Sequence, residues 1–403
     1  MTAHSQYSAS ASARWLACPG SLSLSVGAPR TGSAAARRGT AAHEVAAELL
    51  EGLDDIDPRD SEGREVEVEG DTIVIDEDLT YQITQYVGYV RGFSGTRLIE
   101  VKSLYAAALG LEDNEAWGTA DAVVLAPDGT LHVMDLKTGR GWVGATGNTQ
   151  LALYAAGVVE TLKAVGMDDE VKRLVLHIIQ PAVHAVPDTW ELTVDEFAAE
   201  VEKLRAGAAE ADEAKFGFTG LDDDAWNERF LRPSDEACQW CPAASFCPRL
   251  RQVVDDSMPS SEVERDSLHG LNVDELNEAM QAVPLLETWI AAVQAETNRR
   301  ASLGEKGLAF KLVPGREGNR KWSDDDERIA QALRDLPESL LWAKPKLQSP
   351  AQLEKAMKKL KLPTDRIEGL VVRNPARPTL VPADDPRPQW IEGDIANEFD
   401  KIS

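Results

Sequence analysis

The chain has 403 residues, enough for two or three domains at about 150 residues each, and a 43% hydrophobic content supplies a large core. Forty-two Lys and Arg against 68 Asp and Glu give a net charge of −26, which excludes a uniformly basic nucleic-acid coat but not a local basic groove. No apolar run approaches the roughly 18 residues of a membrane span, and the N-terminus lacks a basic segment followed by an apolar one, so the expectation is a cytoplasmic protein with no membrane partner.

Residues 1–38 are rich in Ser, Ala and Gly around the turn RWLACPGS. GTAAHEVAAELLEG predicts a helix, with Thr40 as its N-cap and Val45, Leu49 and Leu50 as its apolar stripe. The acidic stretch 51–78 predicts a solvated loop or exposed strands. TYQITQYVGYVRGF predicts a second helix, and TRLIEVKSLY, AWGTADAVVL and TLHVMDLKTG predict three strands. The last two flank a turn at Pro127-Asp128-Gly129. NTQLALYAAGVVETLKAVG predicts a long amphipathic helix, and VKRLVLHIIQP a buried strand ending at Pro181. The order helix, three strands, helix, strand implies an α/β layer architecture. A further helix, DEFAAEVEKLRAGAAEADEA, precedes a cysteine cluster.

Beyond residue 257 the texture changes, which divides the chain into 1–257 and a C-terminal extension or domain, 258–403. NVDELNEAMQAVPLLETWIAAVQAETNRRASLG predicts two helices or one kinked one, and FKLVPGREGNRKW a hairpin or loop. Lys344–Arg377 is locally basic.

The chain has four cysteines: Cys238, Cys241 and Cys247 as C-x2-C-x5-C, and Cys18 some 220 residues upstream. A reducing compartment disfavours disulfides. Four thiolates with none left over suit one metal site. Zinc and iron–sulfur both fit; zinc ligands more often come as two C-x2-C pairs, and the asymmetry here suits a [4Fe–4S] cubane.

Register around the Pro127-Asp128-Gly129 turn sets Leu125 opposite Leu131, Val123 opposite Val133, and Asp121 opposite Asp135. Two opposed carboxylates lie about 5 Å apart at Cβ, and Lys137 projects from the same face as Asp135. Such close carboxylates on an apolar strand repel and resist burial unless a divalent cation lies between them. Mg2+ with a few carboxylates beside a lysine is the equipment of phosphodiester hydrolysis. Glu100-Val-Lys102 repeats the acid-x-Lys pattern and stands as a competing candidate. Gln150 and Tyr154 share one helix face after Lys137. His43 is a candidate third ligand; His132 has the wrong parity to join Asp135, and His177 and His184 lack an acidic partner. No Gly-rich phosphate loop is present, so the chain is not itself an ATP-driven helicase. Arg14, Arg37, Arg38, Lys137, Arg140, Lys172 and Arg173 lie near these residues in sequence and would line a basic channel, with Trp142 able to stack on a base.

GTAAHE, GTADAVV, MDLKTG and Q-x-x-x-Y occur in that order, with Cys18 before them and C-x2-C-x5-C after them. Over roughly residues 14–250 this resembles the RecB-like branch of the PD-(D/E)xK nucleases, and within it the iron–sulfur members: CRISPR-associated RecB-like exonucleases, AddB-type nuclease domains and phage relatives. Asp stands at the first position of D-x-K where Glu is commoner in the family. The resemblance implies a restriction-endonuclease-like α/β core, a mixed sheet flanked by helices, closed by a [4Fe–4S] clasp on Cys18, Cys238, Cys241 and Cys247 and followed by a mostly helical C-terminal region. It implies Mg2+ or Mn2+ held by His43, Asp121, Asp135 and the backbone carbonyl of Leu136, with Lys137 as catalytic lysine beside Gln150 and Tyr154. The expected activity is a DNA exonuclease on ends or single strands, of phage or prophage type, working with replication or recombination proteins and open to oligomerisation. The alternatives are a non-catalytic iron–sulfur scaffold that binds DNA, and a flap or branch endonuclease.

Overall fold

The computed structural model describes residues 5–28, 33–52, 56–112, 114–257 and 273–312. All of these belong to one compact unit, Met1–Val313. The expected loop or hairpin at 310–322 falls largely, and the basic stretch Lys344–Arg377 entirely, outside the described residues.

Two short helices, α1 (Ser12–Ala17) and α2 (Ser21–Leu24), open the chain. Helix α3 (Ala34–Glu51) starts earlier than its apolar stripe implied. Its N-cap is Ser33, whose side chain accepts from the Ala36 N–H; Thr40 lies inside the helix and its hydroxyl bonds back to Ala36 O. The apolar stripe marked the buried face, whereas the largely exposed first turn of three alanines and an arginine gave no periodic signal. The acidic stretch contains a small hairpin of β1 (Glu65–Val68) and β2 (Asp71–Val74). Helix α4 (Glu77–Arg91) follows, capped by Asp76.

The main sheet has five strands in the order β3-β4-β5-β6-β7: β3 (Thr96–Leu104), β4 (Trp117–Leu125), β5 (Thr130–Leu136), β6 (Arg173–Ile179) and β7 (Asp188–Thr193). A short helix, α5 (Ala106–Leu109), links β3 to β4. Helix α6 (Thr149–Ala164) carries the chain from β5 to β6, the one parallel pair, so the sheet is mixed. Central β5 and β6 are almost wholly buried, whereas edge strand β3 alternates exposed and half-buried positions, as expected for strands covered on two faces and one. Ala122, Val124, Met134, Leu136 and Ile179 face α3 and α4; Val123, Leu131, Val133, Leu176 and Ile178 face α6 and α7 (Val194–Gly217). Helix α7 begins with a capping box between Thr193 and Glu196.

Helices α8 (Asp224–Phe230), α9 (Asp235–Cys238) and α10 (Pro248–Ser257) build a third apolar cluster with Cys18. Past residue 257, α11 (Val273–Ser302) is a single helix containing Pro284, and its Leu285, Trp289 and Ala292 pack on that cluster. No helix among the described residues is long and apolar enough to cross a membrane.

On the α4 side of the sheet, His132 Nδ1 lies 3.0 Å from His177 Nε2, and the Tyr89 hydroxyl lies 3.1 Å from His177 Nδ1. Burial, then the neighbouring His132, push the His177 pKa down to about 3 from 6.5. The folded state therefore binds fewer protons than the unfolded chain below about pH 6.5, and stability falls as pH drops from there toward about 3. Urea unfolding at pH 5 and pH 7.5 is expected to show this loss, and His177→Gln is expected to flatten it.

Candidate functional site

The β4–β5 ladder pairs Leu125 with Leu131 and Val123 with Val133, and ends at Ala122 and Met134. One step further the strands part. Asp121 does not sit in the ladder; its Oδ2 accepts the Leu136 N–H at 2.8 Å. Asp135 stays in the parallel ladder opposite Ile178, and Lys137 N–H continues it by donating to Ile179 O at 2.9 Å.

Side chains from both helical layers reach this opening. From α3, His43 Nδ1 lies 3.2 Å from Asp121 Oδ2. From α6, the Gln150 amide donates to Asp135 Oδ1 at 3.2 Å and to the Tyr154 hydroxyl at 3.0 Å, while its Oε1 accepts from Lys137 Nζ at 2.9 Å. Lys137 Nζ also sits 2.9 Å from Asp135 Oδ2, at an angle that leaves this buried oxygen without a well-directed hydrogen bond. The structure thus brings together His43, Asp121, Asp135, Lys137, Gln150 and Tyr154. Leu136 joins them through its N–H.

The electrostatics follow from burial among like charges. Burial raises the Asp135 pKa, the Lys137 ammonium opposes that shift, and Asp121 adds to it. Burial disfavours the charged forms of His43 and Lys137, but the adjacent carboxylates outweigh it: His43 is raised to about 9, chiefly by Asp121, and Lys137 is raised by Asp135. With no cation bound, the carboxylates thus favour the charged forms of His43 and Lys137 at neutral pH.

Glu100 belongs to this site, which sequence reasoning treated only as a competitor for it. Extending the pairs Ile99–Ala122 and Val101–Ala120 sets Glu100 opposite Asp121. Glu100 takes a left-handed backbone, φ 47°, and drops out of the ladder, a conformation costing on the order of 1–3 kcal/mol for a non-glycine residue. Donor atoms of His43, Glu100 and Asp121 lie within 4.8 Å of one another. Burial and the Asp121 charge push the Glu100 pKa up to about 7. Its signal was the three-strand register: Asp121 on central β4 is flanked by Asp135 on β5 and by Glu100 on β3. Lys102 is separate, with its Nζ 5.0 Å over the Trp117 ring.

Most of the expected basic channel is elsewhere. Arg14 is buried and donates to Ser25; Arg37 and Arg38 pair with Asp71 and Asp76. Lys172 and Arg173 join Gly129, Asp128 and Thr130 at the hairpin turn, about 17 Å from Asp135 at 3.3 Å per strand residue. Lys137 sits among the carboxylates, whereas Lys172 and Arg173 are carried away because β6 enters the sheet at the far end of β5.

All four cysteines line one cavity and are free of disulfides. The Cys18 turn docks on the segment after α8: Gly20 N–H donates to Phe230 O at 2.9 Å, and the Arg232 N–H lies 3.3 Å from Cys18 Sγ. Burial pushes Cys18 up to about 12, against that N–H, and Cys238 up to about 11.

Gly118, in the strand segment leading to Asp121, is required by close approach. A Cβ there would lie 2.7 Å from the Tyr154 ring, so the glycine lets Tyr154 reach Gln150. Gly118→Ala is expected to overpack this contact and cost about 1–3 kcal/mol in chemical denaturation, with Tyr154→Ala in the same chain removing most of the clash.

A family model described as a protein of unknown function, DUF2800, matches residues 4–388. That span includes every residue of the site and all four cysteines, and the chain belongs to the DUF2800 family.

Proposed function

We propose that the chain is a metal-dependent deoxyribonuclease of the PD-(D/E)xK type, an exonuclease acting on DNA ends or single strands, with a [4Fe–4S] cluster as a structural clasp. The observation carrying this reading is the convergence on one strand opening of His43, Asp121, Asp135, Lys137, Gln150 and Tyr154 from α3, β4, β5, the segment following β5, and α6.

The donor set suits a hard divalent cation. Asp135 is 2% exposed with one oxygen lacking a well-directed hydrogen bond, and beside it the donor atoms of His43, Glu100 and Asp121 lie within 4.8 Å of one another. The carboxylate and carbonyl oxygens favour Mg2+ or Mn2+, and of the two the imidazole nitrogen is better tolerated by Mn2+. His43, giving up its proton to the solvent, would hold the ion with Asp121, Asp135 and the Leu136 carbonyl, and Glu100 lies within reach of the same ion. Bound there, it supplies Lewis acidity at the phosphate and lowers the pKa of water.

The remaining work falls to the chain. Lys137, held charged by Asp135 and aimed by Gln150 Oε1, presents Nζ to the attacking water or to a phosphate oxygen. Gln150 fixes Lys137, Asp135 and Tyr154 together. The Leu136 N–H fixes the Asp121 carboxylate. No carboxylate must reorganise across a flexible loop, which is the economy of a preorganised site.

The cysteine spacing suits a cluster better than one zinc ion: zinc ligands more often come as two C-x2-C pairs, whereas here Cys18 stands alone and the last gap is five residues. Closing a loop of this length stabilises by several kcal/mol in the chain-entropy picture.

End-labelled single- and double-stranded DNA, with Mg2+ or Mn2+ and without ATP, tests the activity. Cleavage from ends is expected, abolished by EDTA and by Asp121→Ala, Asp135→Ala or Lys137→Ala with the fold retained. Circular single strands are expected to survive; their cleavage would make the enzyme an endonuclease. Full activity in EDTA would overturn the metal mechanism. Anaerobically purified protein is expected to be brown, to absorb near 400 nm and to hold about four irons, with Cys18→Ala as damaging to cluster content and stability as Cys241→Ala. A colourless, zinc-loaded protein would overturn the iron–sulfur assignment.

A further inference from the structure

The segment between Lys137 and α6 is built as a rigid platform for one aromatic ring. Gln180, directly after β6, is 2% exposed and spends its amide wholly on this segment. Its Nε2 donates to Gly139 O at 2.8 Å and Gly141 O at 2.6 Å, and its Oε1 accepts from Val143 N–H at 3.1 Å. Asp188, at the start of β7, accepts the Ala145 N–H at 2.8 Å, and Asn148 bonds back to Gly144 O at 3.0 Å. A loop of glycines and small residues is thereby pinned to strand ends next to the carboxylates.

The pinned loop displays Trp142, 65% exposed. Its ring lies over Gly144, where a Cβ would come 2.5 Å from the indole, and its edge meets His184 at 6.5 Å between centroids and 78° between planes. One side of the indole is seated on the backbone while much of the ring stays open to solvent. Arg140, also exposed and with no ion-pair partner among the described residues, precedes it by two. A buried glutamine spent on holding an exposed tryptophan does not serve the core, because exposing indole costs free energy that burial would recover.

We propose that Trp142 is a base-stacking platform for single-stranded DNA, that Arg140 takes an adjacent phosphate, and that Gln180 is the positioning residue that holds the platform in register with Lys137. Stacking needs an open base face, so the platform selects unpaired strands over duplex. The loop leaves β5 directly after Lys137, which puts the stacked nucleotide within a few residues' reach of the scissile phosphate. The inference rests on the nuclease reading for its substrate, and adds which form of DNA the site receives.

The test reads binding without turnover: fluorescence anisotropy of labelled oligo(dT) and of a blunt duplex, in EDTA, with the full-length protein. Trp142→Ala is expected to weaken oligo(dT) binding about tenfold, Trp142→Phe to restore most of it, and Phe216→Ala, which removes another exposed aromatic residue, to change nothing. Duplex binding is expected to move little in all three. Gln180→Ala is expected to weaken oligo(dT) binding severalfold with Trp142 intact; wild-type binding by this variant would overturn the clamp. Unchanged oligo(dT) binding by Trp142→Ala, or equal loss for duplex and single strand, would overturn the platform. Trp142-dependent binding by a protein that never cleaves DNA would leave this inference standing and remove the hydrolase reading.

Discussion

Where β4 and β5 separate, the Asp121 carboxylate accepts the backbone N–H of Leu136 in place of a neighbouring strand's backbone carbonyl. That hydrogen bond closes a ladder that would otherwise end with an unpaired N–H in a buried strand. It also turns the β4 carboxylate toward the end of β5, where Asp135 and Lys137 emerge. The opening lets His43 enter from one helical layer and Gln150 from the other. A hairpin paired one step further would leave no common space for them.

The charges so gathered are nearly balanced within the protein. His43 and Lys137 offset Asp121 and Asp135, and Glu100 remains as the carboxyl pushed up to about 7. Buried ion pairs return little net stability, because desolvation consumes the Coulomb gain. The left-handed backbone at Glu100 adds a local cost. A core built for stability alone would carry apolar residues at these positions, as the flanking strand positions Val123 and Val133 do. These costs gather at the opening, in keeping with the proposed cation and phosphate site.

Much of this was legible in the sequence. Turn chemistry at Pro127-Asp128-Gly129 set the hairpin register, and that register held through Ala122 and Met134. The helix period joined Gln150 to Tyr154, and the motif order placed His43 before the hairpin. The parting of the strands was not legible, because it depends on one side chain outcompeting a backbone carbonyl. Glu100 was hidden because β3 pairs through a long connection, and its acid-x-Lys echo pointed to the wrong lysine. The basic residues misled because nearness in sequence ignores the parallel crossover, which sends Lys172 and Arg173 to the far end of β5. The seating of α11 on the cysteine region came from Leu285 and Trp289, whose periodicity told of a buried face but not of what it buries against.

The central claim is that this opening is a divalent-cation site. Anomalous diffraction from crystals soaked in Mn2+ tests it most directly. The account predicts one strong peak bonded to His43, Asp121 and Asp135, with Lys137 shifted from its present pairing, and loss of the peak in Asp121→Ala. Absence of any peak there in the wild-type protein, with Lys137 still bound to Asp135 and Gln150, would contradict it.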